Sequence, residues 1–131
     1  MAEPSAKVLE FAASVGTDGR VTAHGESLLL PQGWSPEHLV LAGLVRCSLA
    51  SLGHHARRAG IEVTASGDAS GTVTRRDDDG RYAFVEITCR LDVELTPPPD
   101  DPAELLGKAE RDCFVGASLT AKPTYIWNVT A

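Results

Sequence analysis

Two cysteines carry the most specific chemical signal in this chain. Cys47 lies in a segment that the sequence predicts to be an almost wholly apolar helix, and Cys113 lies near the end of a second, amphipathic helix. A cysteine buried on a core helix ordinarily acts as a small hydrophobic residue. Two helical cysteines, with Glu37 ten residues before the first and Arg20 further upstream, instead suggest thiol redox chemistry.

Reactivity at Cys47 needs a nearby positive charge. A cysteine reacts as its thiolate, and a free thiol with a pKa of about 8.5 holds little thiolate at neutral pH. An arginine hydrogen-bonded to the sulfur would stabilise that form, and Arg46 is the neighbouring candidate. Glu37 precedes Cys47 by ten helical residues, which is about 15 Å of rise. It could reach the sulfur only through a bend near Gly43 or from a partner chain, and otherwise it is a first-turn acid that complements the helix dipole.

The remaining candidate residues have simpler interpretations. Cys89 is expected on the inward face of a strand and is predicted to be a core residue. His54 and His55 are adjacent on one helix, face different directions and are predicted to be structural. The spacing of histidines, cysteines and acids does not match a zinc site, and the sequence has no phosphate loop, nucleophile elbow or dinucleotide motif. We therefore expect neither a metal nor a bound cofactor.

Length and composition limit the classes of protein to consider. The 131 residues fit one domain, predicted to span 1–131, and a content of 43% hydrophobic residues supports a core. A net charge of −6 argues against nucleic-acid binding. The start of the sequence lacks the features of a signal peptide, and the longest apolar run, 39–45, is too short to span a bilayer. We expect a cytoplasmic protein that does not bind membranes.

The sequence predicts an α+β layout in the order β-β-β-α-β-β-α-β. The first helix begins after Ser35 and ends before Gly60, and it is apolar nearly all round over 39–52. Such a helix must be covered on every side, so we expect sheets and a second subunit to wrap it. The second helix has Asp101 as N-cap with Glu104 placed for a capping box, and ends at Gly116. Predicted strands are 7–15, 20–24, 28–30, 61–74, 82–95 and 124–130, and in 82–95 every second residue from 83 to 95 is expected to face the core.

The central-helix pattern resembles the signature of the OsmC/Ohr family of osmotically induced and organic hydroperoxide resistance proteins. The similarity includes Pro36-Glu37-His38-Leu39, the cysteine ten residues after Glu37, the upstream Gly19-Arg20 and the second cysteine 66 residues after the first. It covers the chain from about residue 7 to the end. The resemblance implies an OsmC-like fold, in which antiparallel sheets wrap a long buried central helix and two subunits intertwine in a homodimer.

The same resemblance implies a thiol-dependent peroxidase of the oxidative stress response. Cys47 would be the peroxidatic cysteine and Cys113 the resolving one, while Arg20 would hold the thiolate and Glu37 would orient Arg20. An organic hydroperoxide would oxidise Cys47 to a sulfenic acid, a Cys47–Cys113 disulfide would follow, and an external dithiol, such as a lipoyl group, would reduce it.

Two departures from the family pattern leave alternatives open. Phe114-Val115-Gly116-Ala117-Ser118 follows the second cysteine where the Ohr branch usually has Cys-Pro-Tyr-Ser, and Arg46 is an unusual charge that could replace Arg20 or compete with it. The alternatives to a peroxidase are a non-catalytic small-molecule binder with an OsmC-like fold, a thiol redox sensor and, less favoured, a hydrolase.

Overall fold

The computed structural model describes residues 6–130, which form an α+β structure as the sequence predicts. The chain divides into two compact units, one ending at Ser35 and the other beginning at Pro36. The elements are β1 (Ser14–Val15), β2 (Val21–Ala23), β3 (Glu26–Leu28), α1 (Pro36–Arg58), β4 (Glu62–Arg75), β5 (Tyr82–Thr96), α2 (Pro102–Arg111), α3 (Phe114–Ser118) and β6 (Thr124–Thr130).

The first unit is a small antiparallel sheet in the order β1-β2-β3. The predicted strand over 7–15 is too long, because β1 pairs with β2 only through residues 14 and 15, and residues 7–13 are exposed and outside any strand. Strands β2 and β3 are joined at His24 and Gly25, whose φ angles of 54° and 74° are those of a two-residue hairpin turn.

Helix α1 has the bounds that its end signals predict. Pro36 is its first residue, where the missing N–H costs nothing. At the other end Gly60 has a φ of 74°, which lets its N–H reach the carbonyl of Arg57 while the N–H of Ile61 reaches that of Ala56. These two hydrogen bonds form a Schellman motif, and the motif explains why a glycine ends the helix.

The second sheet has the order β4-β5-β6 and is not wholly antiparallel. Strands β4 and β5 form a long antiparallel pair, but β6 runs parallel to β5. The expectation of antiparallel sheets is therefore wrong at this edge. The reason is the connection: α2 and α3 separate the two strands, so the last strand can run in the same direction as β5, with Thr124 opposite Thr88.

The core face of β5 changes at a bulge. From Ile87 to Leu95 every second residue is buried, as the alternation predicts. The pairing register shifts between Thr72 and Val73 of β4, and beyond that point Val85 is 43% exposed while Phe84 packs against the core. A one-residue shift moves side chains to the opposite face, which the period of two could not reveal.

One stripe of α1 is fully buried within the chain: Leu44, Ser48, Leu52 and Ala56, each one helical turn from the next. The rest of the helix is partly covered or open, and Leu39 is 40% exposed. The long helix is therefore central to the core without being buried all round by its own chain. By length and composition alone α1 could cross a membrane, a property that core helices of globular proteins share.

The predicted second helix is in fact two. Helix α2 ends at Arg111 and the five-residue α3 starts at Phe114, so Cys113 lies between helices and Gly116 lies inside α3. Asp101 is the N-cap residue of α2 but its side chain makes no capping hydrogen bond, so the predicted capping box does not form. Aspartate and cysteine are weak helix formers, and here the side chain of Cys113 instead caps α3.

Candidate functional site

The fold brings Cys47 and Cys113 together. Cys47 projects from the middle of α1, and Cys113 lies at the start of α3. The two side chains hydrogen-bond to each other, and both cysteines are free thiols. Cys47 is only partly buried, whereas the side chain of Cys113 is fully buried. A reagent from solution therefore reaches Cys47 first.

The surroundings of Cys47 favour its neutral thiol. Burial is the largest influence and raises the pKa of Cys47 above its ordinary value. A hydrogen bond from the backbone of Val115 lowers that pKa, the neighbouring Cys113 raises it, and a further bond from the backbone of Phe114 lowers it. Since the net direction is upward, rapid reaction at this sulfur would need an added positive charge.

The influences on the pKa of Cys113 add up in the opposite direction to those on Cys47. Burial by itself raises the pKa of its thiol, but hydrogen bonds from Ser48, the backbone N–H of Gly116, Cys47 and Tyr125 together outweigh burial and lower the pKa. The sulfur lies 3.4 Å from the amide nitrogen of Gly116 and 3.5 Å from Oγ of Ser48. The fully buried sulfur is thus the one whose thiolate is better stabilised.

Ser48 and Tyr125 belong to this site, although neither was a candidate from the sequence. Ser48 is fully buried, and its Oγ lies 3.3 Å from the hydroxyl oxygen of Tyr125 and 2.8 Å from the carbonyl oxygen of Leu44. A signal existed in the sequence: Ser48 is the one polar residue in the buried stripe of α1. Tyr125 lies on β6 and is 77 residues away from Ser48 along the chain, so its approach depends on the packing.

Gly116 leaves room for the hydroxyl of Tyr125. A Cβ atom at Gly116 would lie 2.9 Å from that oxygen and 3.4 Å from the sulfur of Cys113. The Tyr125 ring is itself held by stacking on Trp127, with ring centres 5.9 Å apart and planes 10° apart. The absent side chain at Gly116 is therefore a requirement of this cluster.

Cys89 and His55 occupy structural positions. Cys89 is fully buried on β5, as predicted, and burial raises its pKa to about 11, against a hydrogen bond from Ser48. Nε2 of His55 lies 2.7 Å from a carboxylate oxygen of Asp112, which confirms a satisfied structural histidine. The ring of His54 packs edge-on against that of His55.

Arg20, Glu37 and Arg46 are exposed, and Arg20 belongs to a different unit from the two sulfurs. Arg20 belongs to the first unit, where its Nε is 3.3 Å from a carboxylate oxygen of Asp18. Glu37 is in the first turn of α1, and because α1 is unbroken it lies about 15 Å along the helix from Cys47. Glu37 lines an apolar cleft of about 330 Å³ with, among others, Val40, Tyr82, Phe84 and Leu119.

Comparison with known proteins identifies the fold. A family model described as OsmC-like protein matches residues 25–128. An OsmC-like protein from Mycoplasma pneumoniae is 18% identical, with a TM-score of 0.69 over 95% of this chain and 96% of that one. An OsmC-like protein of unknown function from Vibrio cholerae is 13% identical, with a TM-score of 0.71 over 94% and 100%. The organic hydroperoxide resistance protein OhrB of Bacillus subtilis is 20% identical, with a TM-score of 0.58 over 92% and 96%. No curated protein sequence gives a significant match.

Proposed function

The chain belongs to the OsmC-like protein family, and from that membership we propose that it is a thiol-dependent peroxidase that reduces organic hydroperoxides to alcohols. The observation that carries the proposal is the contact between the thiols of Cys47 and Cys113. Two free cysteines in contact, one accessible and one buried, suit a reaction in which the first is oxidised by a substrate and the second completes a disulfide.

The proposed cycle begins at Cys47. Its thiolate attacks one peroxide oxygen, the O–O bond breaks, and the alkoxide leaves and takes up a proton to become an alcohol, which leaves Cys47 as a sulfenic acid. The sulfur of Cys113 then attacks the sulfenic sulfur, the S–O bond breaks and water leaves. An external dithiol, for which a lipoyl group is our candidate, reduces the disulfide by exchange and restores both thiols.

We assign Arg20 and Glu37 to the activation of Cys47. The raised pKa of Cys47 gives the reason an activating cation is needed, since a guanidinium hydrogen-bonded to the sulfur stabilises the thiolate. Arg20 would supply that charge and Glu37 would orient it. Because about 15 Å of helix separates Glu37 from Cys47 of the same chain, the assignment favours a site to which two subunits contribute.

A homodimer also accounts for the uncovered side of α1. Its own chain buries one stripe completely and leaves Leu39 at 40% exposed. Apolar residues elsewhere in the second unit are open as well, including Val85, Ile126 and Val129. Sedimentation velocity should therefore give a species of twice the 13.9 kDa chain mass. A monomer at all concentrations across the micromolar range would refute the proposal that two subunits contribute to the site.

The test of the peroxidase is mass analysis after reduced protein meets one equivalent of an organic hydroperoxide for a few seconds. We expect the loss of two hydrogens, mapping to a Cys47–Cys113 bridge. Cys89→Ser is the matched control that should still form the bridge, while Cys47→Ser should not. An unchanged mass, or slow oxidation spread over all three cysteines, would refute the peroxidase and favour a non-catalytic binder.

Turnover then separates an enzyme from a redox sensor. With excess hydroperoxide, we expect a reduced dithiol such as dihydrolipoamide to sustain alcohol formation. Oxidation of the cysteines without turnover, whichever thiol reductant is supplied, would instead assign the disulfide to sensing. A comparison of alkyl hydroperoxides with hydrogen peroxide tests the preference for apolar substrates, since each buried methylene contributes about 0.8 kcal/mol.

A further inference from the structure

We propose that the hydroxyl groups of Ser48 and Tyr125 form a hydrogen-bonding pair that stabilises the sulfur of Cys113 as it loses its proton and attacks Cys47. The assignment rests on the proposed function for its role in the cycle. The hydrogen bonds themselves do not depend on it, and they can be tested without a peroxide.

The geometry gives Ser48 a choice of partners. Its Oγ lies 2.8 Å from the carbonyl oxygen of Leu44, 3.3 Å from the hydroxyl oxygen of Tyr125 and 3.5 Å from the sulfur of Cys113. A serine hydroxyl has one proton and can donate to one of these at a time, while its lone pairs accept from others. The shortest distance is to Leu44, so the resting hydroxyl donates to the helix backbone.

This arrangement suits a protonated Cys113. While Ser48 donates to Leu44, its lone pairs can accept a hydrogen bond from the S–H of Cys113. The hydroxyl of Ser48 has then committed its single proton to the carbonyl of Leu44. It has no proton left for a thiolate.

When Cys113 loses its proton, its sulfur changes from a hydrogen-bond donor to an acceptor. A buried thiolate needs donors, and rotation of one hydroxyl turns Ser48 from Leu44 to the sulfur. Tyr125 also hydrogen-bonds to Cys113 and can donate to it directly. The amide of Gly116, at 3.4 Å, donates in both states, so the two hydroxyls are the donors that can adjust.

The formation of the disulfide needs no reactant other than Cys113 and the sulfenic acid at Cys47. The sulfur of Cys113 forms a bond to the sulfenic sulfur of Cys47 while the S–O bond breaks, and the departing hydroxide takes the proton that Cys113 lost and leaves as water. The hydroxyls keep their own protons at the end of the step. Their contribution is to stabilise the negative charge on a buried sulfur before the new bond forms.

Among the residues that the structure describes, the thiols of the other two cysteines also face this sulfur. Cys47 approaches it from α1 and Cys89 from β5. Cys89 has a pKa raised to about 11 and is a thiol at neutral pH. In a variant with Cys47 replaced by serine and Cys89 by alanine, Cys113 is therefore the one thiol left to titrate.

The first experiment is that titration, followed by thiolate absorbance at 240 nm in the Cys47→Ser/Cys89→Ala background. Adding Tyr125→Phe or Ser48→Ala should move the transition to higher pH, because each removes a donor to the charged sulfur. Ser51→Ala is the matched control, since Ser51 is on the same helix and donates to the carbonyl of Ala109 instead. Unmoved transitions in folded variants would overturn the proposal.

The second experiment times the disulfide after one equivalent of hydroperoxide, with Cys47 and Cys113 intact. In Tyr125→Phe, sulfenic acid at Cys47 should form at the unchanged rate, and its conversion to disulfide should slow about tenfold, the effect of one lost hydrogen bond to a charged atom. Disulfide formation at the original rate would refute the role in the cycle.

The two experiments separate failure of the inference from failure of the proposed function. If peroxide produces no sulfenic acid while the titration shifts as expected, the peroxidase is wrong and the hydroxyl pair stands. If the disulfide forms normally and the titration does not shift, the peroxidase stands and the pair is wrong. Tyr125→Phe keeps the ring that stacks on Trp127, so it should fold even if the buried change at Ser48 does not.

Discussion

Replacing Gly116 by alanine should destabilise the protein, although the same change elsewhere on a helix stabilises it. Glycine inside a helix costs roughly 0.5–1 kcal/mol relative to alanine, so the substitution alone should raise the free energy of unfolding. At Gly116 the new Cβ would lie 2.9 Å from the hydroxyl oxygen of Tyr125 and 3.6 Å from a methyl group of Leu44. Overpacking of this kind costs typically about 1–3 kcal/mol, which exceeds the gain.

The surroundings leave little room for relief. The Tyr125 ring stacks on Trp127, whose indole N–H donates to Glu110 at 2.9 Å, so the ring cannot swing aside freely. A shift of the hydroxyl would also lengthen its 3.3 Å contact with Ser48. We therefore expect the overpacking cost to remain largely unrelieved.

Gly107 provides the matched control. It lies inside α2, is exposed, and a Cβ built there would have no neighbour within 4 Å. Urea unfolding at one protein concentration should show Gly107→Ala more stable than the wild type. Gly116→Ala should be less stable than Gly107→Ala by about 1–3 kcal/mol, because the shared helix preference cancels in the difference.

A double substitution checks the cause. Tyr125→Phe removes the oxygen that the new methyl group would meet, and the remaining neighbours of that methyl lie at 3.4 Å and 3.6 Å. Gly116→Ala should consequently cost much less in the Tyr125→Phe background than alone. Equal stability of Gly116→Ala and Gly107→Ala, or an equal cost in both backgrounds, would refute the close contact and weaken the case for the hydroxyl pair.

Three further predictions concern other groups. The carboxyl of Asp112 has its pKa lowered from 3.8 to about 2, mainly by Arg111. Its contribution to the free energy of unfolding is therefore present above pH 3.8 and is lost as the pH falls to about 2. Urea unfolding should show that the stability of Asp112→Asn falls less than that of the wild type over this interval. Native Cys89, with a pKa of about 11, should resist iodoacetamide at pH 8 in peptide mass analysis, and rapid labelling would contradict its burial. Phe114→Pro removes a backbone donor to Cys47 at a helix position that accepts proline, so alkylation of Cys47 should shift to higher pH than in the control Phe114→Ala, which keeps that donor.

The sequence predicted best the elements whose signals are local. Pro36 and Gly60 mark the ends of α1 because each acts through its own backbone geometry. The alternation from Ile87 to Leu95 marks the core face of β5 for a similar reason. The bulge that exposes Val85 depends on the register with the partner strand, which no pattern within β5 contains.

The residues of the site likewise fall into those that the sequence predicted and those that it missed. Spacing and the family resemblance selected Cys47 and Cys113, and the fold brings them into contact. Ser48 and Tyr125 were missed because their proximity arises from packing between α1 and a strand near the end of the chain. The polar residue in an apolar stripe was the available sign, since a fully buried hydroxyl must find partners.

The break between α2 and α3 creates a helix start whose backbone amides hydrogen-bond to both sulfurs. The first amides of a helix have no partner within it, and at α3 those of Phe114 and Val115 hydrogen-bond to Cys47 while that of Gly116 hydrogen-bonds to Cys113. The next amide, that of residue 117, bonds to the carbonyl of Cys113 at 2.9 Å and begins the regular pattern.

The two cysteines are thus the acceptors for one helix start as well as the candidate reacting atoms. Removing an acceptor costs up to roughly 1–3 kcal/mol where the amide is buried, as at Gly116, so an alanine at either cysteine would disturb structure and chemistry together. Serine keeps an acceptor at both positions. The loss of peroxide reactivity is therefore interpretable in Cys47→Ser and Cys113→Ser, where α3 can still form, and it is ambiguous in the corresponding alanine variants.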